Sequence, residues 1–135
     1  MMAKYDLRAG DIMQVEVATI LEDATISEAV AHMRLEGVRS LIIERLNEDD
    51  PYGIITYWDI VAKVLAEGKD PDKVQVFDIM TKPVISITPT MEVKYIARLL
   101  RQSRIGHVPV IENSRLVGIV SRTDLVVEVI TEPVS

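Results

Sequence analysis

Two aspartates stand in the same seven-residue phrase. Gly53-Ile54-Ile55-Thr56-Tyr57-Trp58-Asp59 returns as Gly118-Ile119-Val120-Ser121-Arg122-Thr123-Asp124. In both, a hydroxyl residue precedes the carboxylate by three positions and an apolar helical stretch follows. A carboxylate can accept from two neighbouring hydroxyls at once, the pairing that a ribose diol offers. A helix that begins just after Thr56 or Ser121 turns free N–H groups and a positive dipole end outward, where a phosphate fits. The same spacing also serves a helix alone, because S/T-x-x-D lets hydroxyl and acid cap each other's backbone N–H groups. On spacing alone, ligand recognition and helix capping are both open.

Other chemistries lack their residues. The chain has two histidines, His32 and His107, in no H-E-x-x-H spacing, and no cysteine, so a zinc hydrolase or thiol nucleophile is unsupported. Neither G-x-S-x-G nor a phosphate-binding G-x-x-x-x-G-K-[ST] loop occurs. The two aspartates have no evident general-base partner, and the expectation is a protein that is not an enzyme. A net charge of -6 disfavours a nucleic-acid surface, which would need Lys82, Arg98, Arg101, Arg104 and Arg122 on one face. No apolar run approaches the roughly 18 residues of a membrane span, and no apolar segment follows Met1–Asp6 to act as a signal. A soluble cytoplasmic protein is the expectation. Trp58 and Phe77 are the only non-tyrosine aromatics. The core must therefore be aliphatic, and Trp58 is expected to cover a core or a dimer contact rather than stack on a base.

The elements that position these residues come from a duplication. Asp11-Ile12-Met13 returns as Asp78-Ile79-Met80, and at the same spacing Val17 matches Val84, Ile20 matches Ile87 and Ile43 matches Val110. The first copy carries two extra residues in the polar stretch Glu44 to Tyr52, a surface loop. Residues 1–10 read as a lead-in that pairs with the second copy or with a partner. The copies occupy 11–68 and 78–131, with a linker at 69–77 and a tail at 132–135. Asp11 is expected to cap a short turn, followed by a strand over Val15–Leu21. Thr25 and Glu28 form a capping box for a helix ended by Gly37. The Leu41-Ile42-Ile43 strand is apolar enough to be buried on both faces. A strand at Gly53–Ile55 leads into a helix over Tyr57–Glu67, ended by Gly68. In the second copy the expectations are a strand over Val84–Ile87, a helix over Met91–Gln102, a strand over Ile105–Ile111 and a polar hairpin at Glu112–Arg115. Pro109 predicts an edge or irregular position, since it cannot donate to a ladder. Each copy is β-α-β-β-α, and about 60 residues bury too little surface to be stable alone.

The D-I-M opener, the strand Ile105-Gly106-His107-Val108-Pro109-Val110-Ile111 and the G-h-h-[ST]-x-x-D phrase resemble the CBS domain, and two copies resemble the tandem pair called a Bateman module. The resemblance covers about residues 11–131. It implies an α/β (α+β) fold of two repeats packed with pseudo-twofold symmetry, and pairs that associate into disc-shaped dimers. It also implies clefts between repeats that hold AMP, ADP, ATP or S-adenosylmethionine. The family's ribose-binding aspartate falls on Asp59 and Asp124, and the hydroxyl that approaches the phosphates on Thr56 and Ser121. The segment near the base falls on Val17-Ala18-Thr19 and on Val84-Ile85-Ser86. The basic or histidine position falls on Ser40 and His107, with Arg39 just before Ser40, Val108 and Pro109 after His107, and Arg122 or Arg104 assisting at the phosphate. The first copy departs from the pattern, with Leu41-Ile42-Ile43 in place of Val108-Pro109-Val110 and no basic residue at Ser40.

The reading that follows is a stand-alone regulatory module. An adenosine ligand in the inter-repeat cleft is coupled to conformation or partner binding, a homodimer is expected, and the regulated partner is another chain. The alternative is a constitutive dimerisation scaffold with non-functional clefts.

Overall fold

The structure, a computed structural model, describes residues 4–131; residues 1–3 and the tail 132–135 lie outside the described residues. After a 3-10 turn at Lys4–Asp6 come α1 (Ala9–Ile12), β1 (Thr19–Ile20), α2 (Ile26–Glu36), β2 (Ser40–Ile43) and β3 (Gly53–Thr56). Then follow α3 (Tyr57–Ile60), α4 (Val76–Ile79), α5 (Val93–Ser103), β4 (His107–Glu112), β5 (Arg115–Ser121) and α6 (Arg122–Thr131). Each copy keeps the β-α-β-β-α plan, although the opening strand of the second shrinks to a single bridge.

The chain packs as two units, and they do not follow the duplication. Ala18 to Val84 form one; the residues up to Val17 join those from Ile85 onward in the other. The opening segments are exchanged between the copies. Gln14 N–H donates to Ile119 O and Ile119 N–H to Gln14 O, while Thr81 and Ile54 make the same reciprocal pair in the other unit. The lead-in pairs with the second copy: Val93 N–H donates to Leu7 O and Ala9 N–H to Met91 O. The phrase begins with glycine partly for this reason. A Cβ on Gly118 would lie 2.5 Å from Met13 Sδ and 3.0 Å from the Gln14 carbonyl.

In the unit Ala18–Val84, β2 is central, parallel to β1 (Thr19 beside Ile42) and antiparallel to β3 (Ser40 beside Thr56). All four of its residues are buried, as a strand with neighbours on both sides requires. Ile26, Ala29 and Met33 of α2 and Ile55, Ile60 and Val64 complete an aliphatic core. The capping box of Thr25 and Glu28 forms, and Gly37 closes α2 at φ 67°. In the other unit β4 pairs with β5, and Asn113 and Ser114 form the tight turn at positive φ. Its core joins Leu7 and Ile12 to Val93, Ile96, Val108 and Val120. Trp58 and Phe77 stay out of both cores, at 72% and 50% exposure.

Several expected elements change. The strand over Val15–Leu21 is only Thr19–Ile20. The strand over Val84–Ile87 is one parallel bridge, Ile87 beside Val110. The reason is Pro109. In the first copy Ile42 N–H donates to Ala18 O, and the equivalent pair is Pro109 and Ile85. Proline has no N–H, so the ladder stops one bond short. Pro109 itself is buried inside β4, because its N and its carbonyl, which accepts from Ile87, face away from β5 and leave that ladder intact. The helix over Tyr57–Glu67 ends its α turn at Ile60 and continues as a π turn over Val61–Leu65, where Ala66 N–H donates to Val61 O at 2.9 Å. Asp11 is the third residue of α1 and not its cap; its carboxylate accepts from Arg8 N–H at 2.8 Å. Asp78 serves α4 identically at Gln75. Helix α5 begins at Val93, two residues later than expected.

Candidate functional site

Each S/T-x-x-D turn sits where an antiparallel strand pair delivers the chain into a helix. Thr56 ends β3 opposite Ser40, and Ser121 ends β5 opposite His107. The backbone holds the turns alike: Tyr57 N–H donates to Arg39 O at 3.3 Å, and Arg122 N–H to Gly106 O at 2.8 Å. Gly106 is small because Arg122 lies across it; a Cβ there would meet Arg122 Nη2 at 2.7 Å.

The capping alternative is realised, by one carboxylate oxygen only. Asp59 Oδ2 accepts from Thr56 N–H at 2.9 Å, and Asp124 Oδ2 from Ser121 N–H at 3.0 Å. Capping therefore does not consume the carboxylate. The second oxygens differ. Asp59 Oδ1 faces the Lys63 ammonium at 3.5 Å, and that ammonium also donates to Ile79 O at 2.9 Å. Asp124 Oδ1 accepts from the neutral amide of Gln14 at 3.3 Å. The hydroxyls differ too. Both accept from their aspartate N–H, Thr56 Oγ1 at 3.4 Å and Ser121 Oγ at 3.0 Å, and Thr56 Oγ1 in addition donates to Asp59 Oδ2 at 3.1 Å. Asp59 is buried at 9% exposure and Asp124 half-buried.

The remaining predicted residues divide between the two units. With Asp59 lie Thr19, whose hydroxyl donates to Glu44 Oε1 at 3.0 Å, exposed Arg39 and buried Ser40. With Asp124 lie half-buried His107, buried Val108 and Pro109, and exposed Ile85, Ser86 and Arg122. A groove of about 460 Å³ runs between α5 and α6, with Arg101, Arg104 and Arg122 over a floor that includes Leu100, Ile105 and Leu125. The first-copy equivalents of those arginines are Arg34, Gly37 and Tyr57, which leaves one cation in place of three. Arg104 adopts φ 55° at the position where Gly37 ends α2.

Gln14 and Lys63 were missing from the residues singled out in the sequence. Lys63 has a signal, since it stands four residues after Asp59 on one helical face, where the second copy has Glu128. Gln14 has none, being 110 positions from its partner.

Set beside known proteins, the chain matches the family model for the CBS domain twice, over residues 9–66 and 76–131. It belongs to the CBS family. Two CBS repeats occupy most of the chain, in a family that is non-catalytic, regulatory and generally binds adenosine derivatives. Among curated relatives, it is 38% identical over 86% of its length to an uncharacterized protein of Methanopyrus kandleri. It is 34% identical over 82% of its length to a mitochondrial CBS domain-containing protein of Arabidopsis thaliana. The chain spans only 59% and 55% of those relatives. Among solved structures, a hexameric CBS-CP12 protein from bloom-forming cyanobacteria superposes with a TM-score of 0.89 at 42% identity, covering 96% of this chain and 76% of that one. That relative is a hexamer. Among the described residues no helix is long and apolar enough to cross a membrane, and no three His, Cys, Asp or Glu side chains cluster as a metal site.

Proposed function

We propose that the chain is a regulatory module that binds an adenosine ligand (AMP, ADP, ATP or S-adenosylmethionine) at its S/T-x-x-D turns and transmits occupancy to its own assembly or to a protein partner. The single supporting observation is the division of labour in the carboxylates. One oxygen caps the helix, and the other is left to a side chain from outside the turn, which at Asp124 is the neutral Gln14 amide that a ribose hydroxyl could replace. In the second copy Asp124 takes the ribose, Ser121, Arg122 and His107 take the phosphates, and Ile85, Ser86, Val108 and Pro109 lie against the base. Asp59, Thr56, Thr19, Arg39 and Ser40 occupy the matching positions in the first copy, where Lys63 already faces the carboxylate.

The assembly is a homodimer built on helix faces. Leu35, Trp58 and Leu65 are 81%, 72% and 64% exposed, as are Val126 and Ile130 at 59% and 60%. Val126 and Ile130 stand four residues apart on one face of α6, and contiguous exposed apolar side chains mark an interaction site. A ligand shifts that assembly only as far as its affinities for the two states differ.

Thermal melting of nucleotide-stripped protein with AMP, ADP, ATP, S-adenosylmethionine and GTP tests the reading. A ligand at 100 times its Kd stabilises the folded state by about 2.7 kcal/mol, so one adenosine compound should raise the midpoint while GTP does not. A flat panel, with the dimer unchanged, leaves the scaffold reading in its place.

A further inference from the structure

Resting on the adenosine reading, we infer that Lys63 keeps the carboxylate of the first copy occupied, so that the chain takes its ligand at Asp124 alone. Lys63 is held from both sides, by Asp59 Oδ1 at 3.5 Å and by the Ile79 carbonyl at 2.9 Å. It rides on the π turn Val61–Leu65, which α6 of the second copy lacks. A ribose hydroxyl arriving at Asp59 must displace a cation from an oxygen that is already charge-matched, exchanging a charge-assisted contact for a weaker neutral one. At Asp124 the arriving hydroxyl displaces only the Gln14 amide, at 3.3 Å, and trades a neutral donor for another.

Four further differences between the copies point the same way. Both hydroxyls accept from their aspartate N–H, but Thr56 spends its hydrogen on Asp59 Oδ2, whereas Ser121 can turn its hydrogen to a phosphate oxygen. Arg122, the residue after Ser121, lines a groove with Arg101 and Arg104, while its counterpart is Tyr57. Pro109 withholds from the Ile85 carbonyl the donor that Ile42 gives Ala18, which leaves an acceptor beside β4 for an amino group. Lys63 has the opposite sign at the matching place, where Glu128 follows Asp124 at the same four-residue spacing.

Calorimetric titration of the full chain with ATP and with AMP decides the matter, using D59N, D124N, K63Q and K63A, each shown by its melt to be folded. Wild type and D59N should bind one ligand per chain. D124N should weaken binding by about tenfold or more, equivalent to about 1.4 kcal/mol. K63Q or K63A should add a second site, and D59N in the same chain should remove it. Two equivalent sites in wild type would overturn the inference, as would binding lost in D59N but kept in D124N, or a single site in both Lys63 variants. In those cases the adenosine reading stands. No binding of either nucleotide to wild type removes both.

Discussion

At Gly106 and Gly118 a single methyl group separates two kinds of neighbour. On Gly118 it would strike Met13 and the Gln14 backbone carbonyl, the latter fixed by a pair of reciprocal bonds with Ile119. G118A should therefore lower stability by about 1–3 kcal/mol, the usual cost of overpacking, read as a fall in denaturant midpoint. On Gly106 the nearest atoms are the far end of Arg122, which can swing aside. G106A should cost clearly less in the same assay and displace the guanidinium. Arg104 offers the converse experiment. It holds φ 55° where the first copy uses glycine, and a left-handed residue with a Cβ is strained by roughly 1–2 kcal/mol. R104G should raise the melting midpoint, and a fall would mean that the guanidinium is engaged in a stabilising contact. At this scale the sequence was half legible. Asp59, Asp124 and their hydroxyl partners stood out by repetition, and Lys63 could have been read from helical spacing. Gln14 could not, because no local pattern reports a contact formed by exchange between copies.

Among the elements, the duplication made type and order readable, and departures from it mark where side-chain chemistry overrode the plan. The opening strand of the second copy is cut to one bridge by the missing N–H of Pro109, a consequence of a residue in a different strand. P109V should restore the bond that Ile42 makes to Ala18 and lengthen the sheet. A backbone bond contributes about 0.5–1.5 kcal/mol net, and the new amide should be protected in hydrogen exchange. If that amide exchanges as freely as a loop residue, the ladder is being stopped by something other than proline. Boundaries were less readable than types. The helix after Thr56 widens into a π turn, and no periodicity in Val61–Leu65 distinguishes that from the α turn seen in α6.

Across the whole molecule, a lysine ties the polar loop of the first copy to the opening segment of the second. Lys82 Nζ lies 2.8 Å from Asp50 and 3.4 Å from Glu22. The Leu46 N–H and then Lys82 hold the Asp50 carboxyl below its usual 3.8, with Arg45 assisting. Asp50, opposed by burial and joined by Glu22, holds Lys82 above 10.5. A lowered acid stabilises the fold above its unfolded pKa and loses that contribution as pH falls through the folded one. A raised base contributes below 10.5 and loses it as pH climbs past its folded value. Wild type should thus lose stability below about pH 4 more steeply than D50N, and K82M should flatten both limbs of a melting profile against pH. Identical acid limbs in wild type and D50N would remove Asp50 from the explanation.

The exchange of opening segments also puts the two units on different clocks. Ala18 to Val84 are contiguous, so all the contacts within that unit are available once Val84 is made, whereas the residues before Val17 belong with α6, which ends at Thr131. At the usual 5–20 residues per second, Leu7, Ile12 and Met13 wait about 6–25 s for α6 to be complete. During that interval the apolar opening segment has no complete core to join, and the unit that carries Asp124 is the later of the two to be completed.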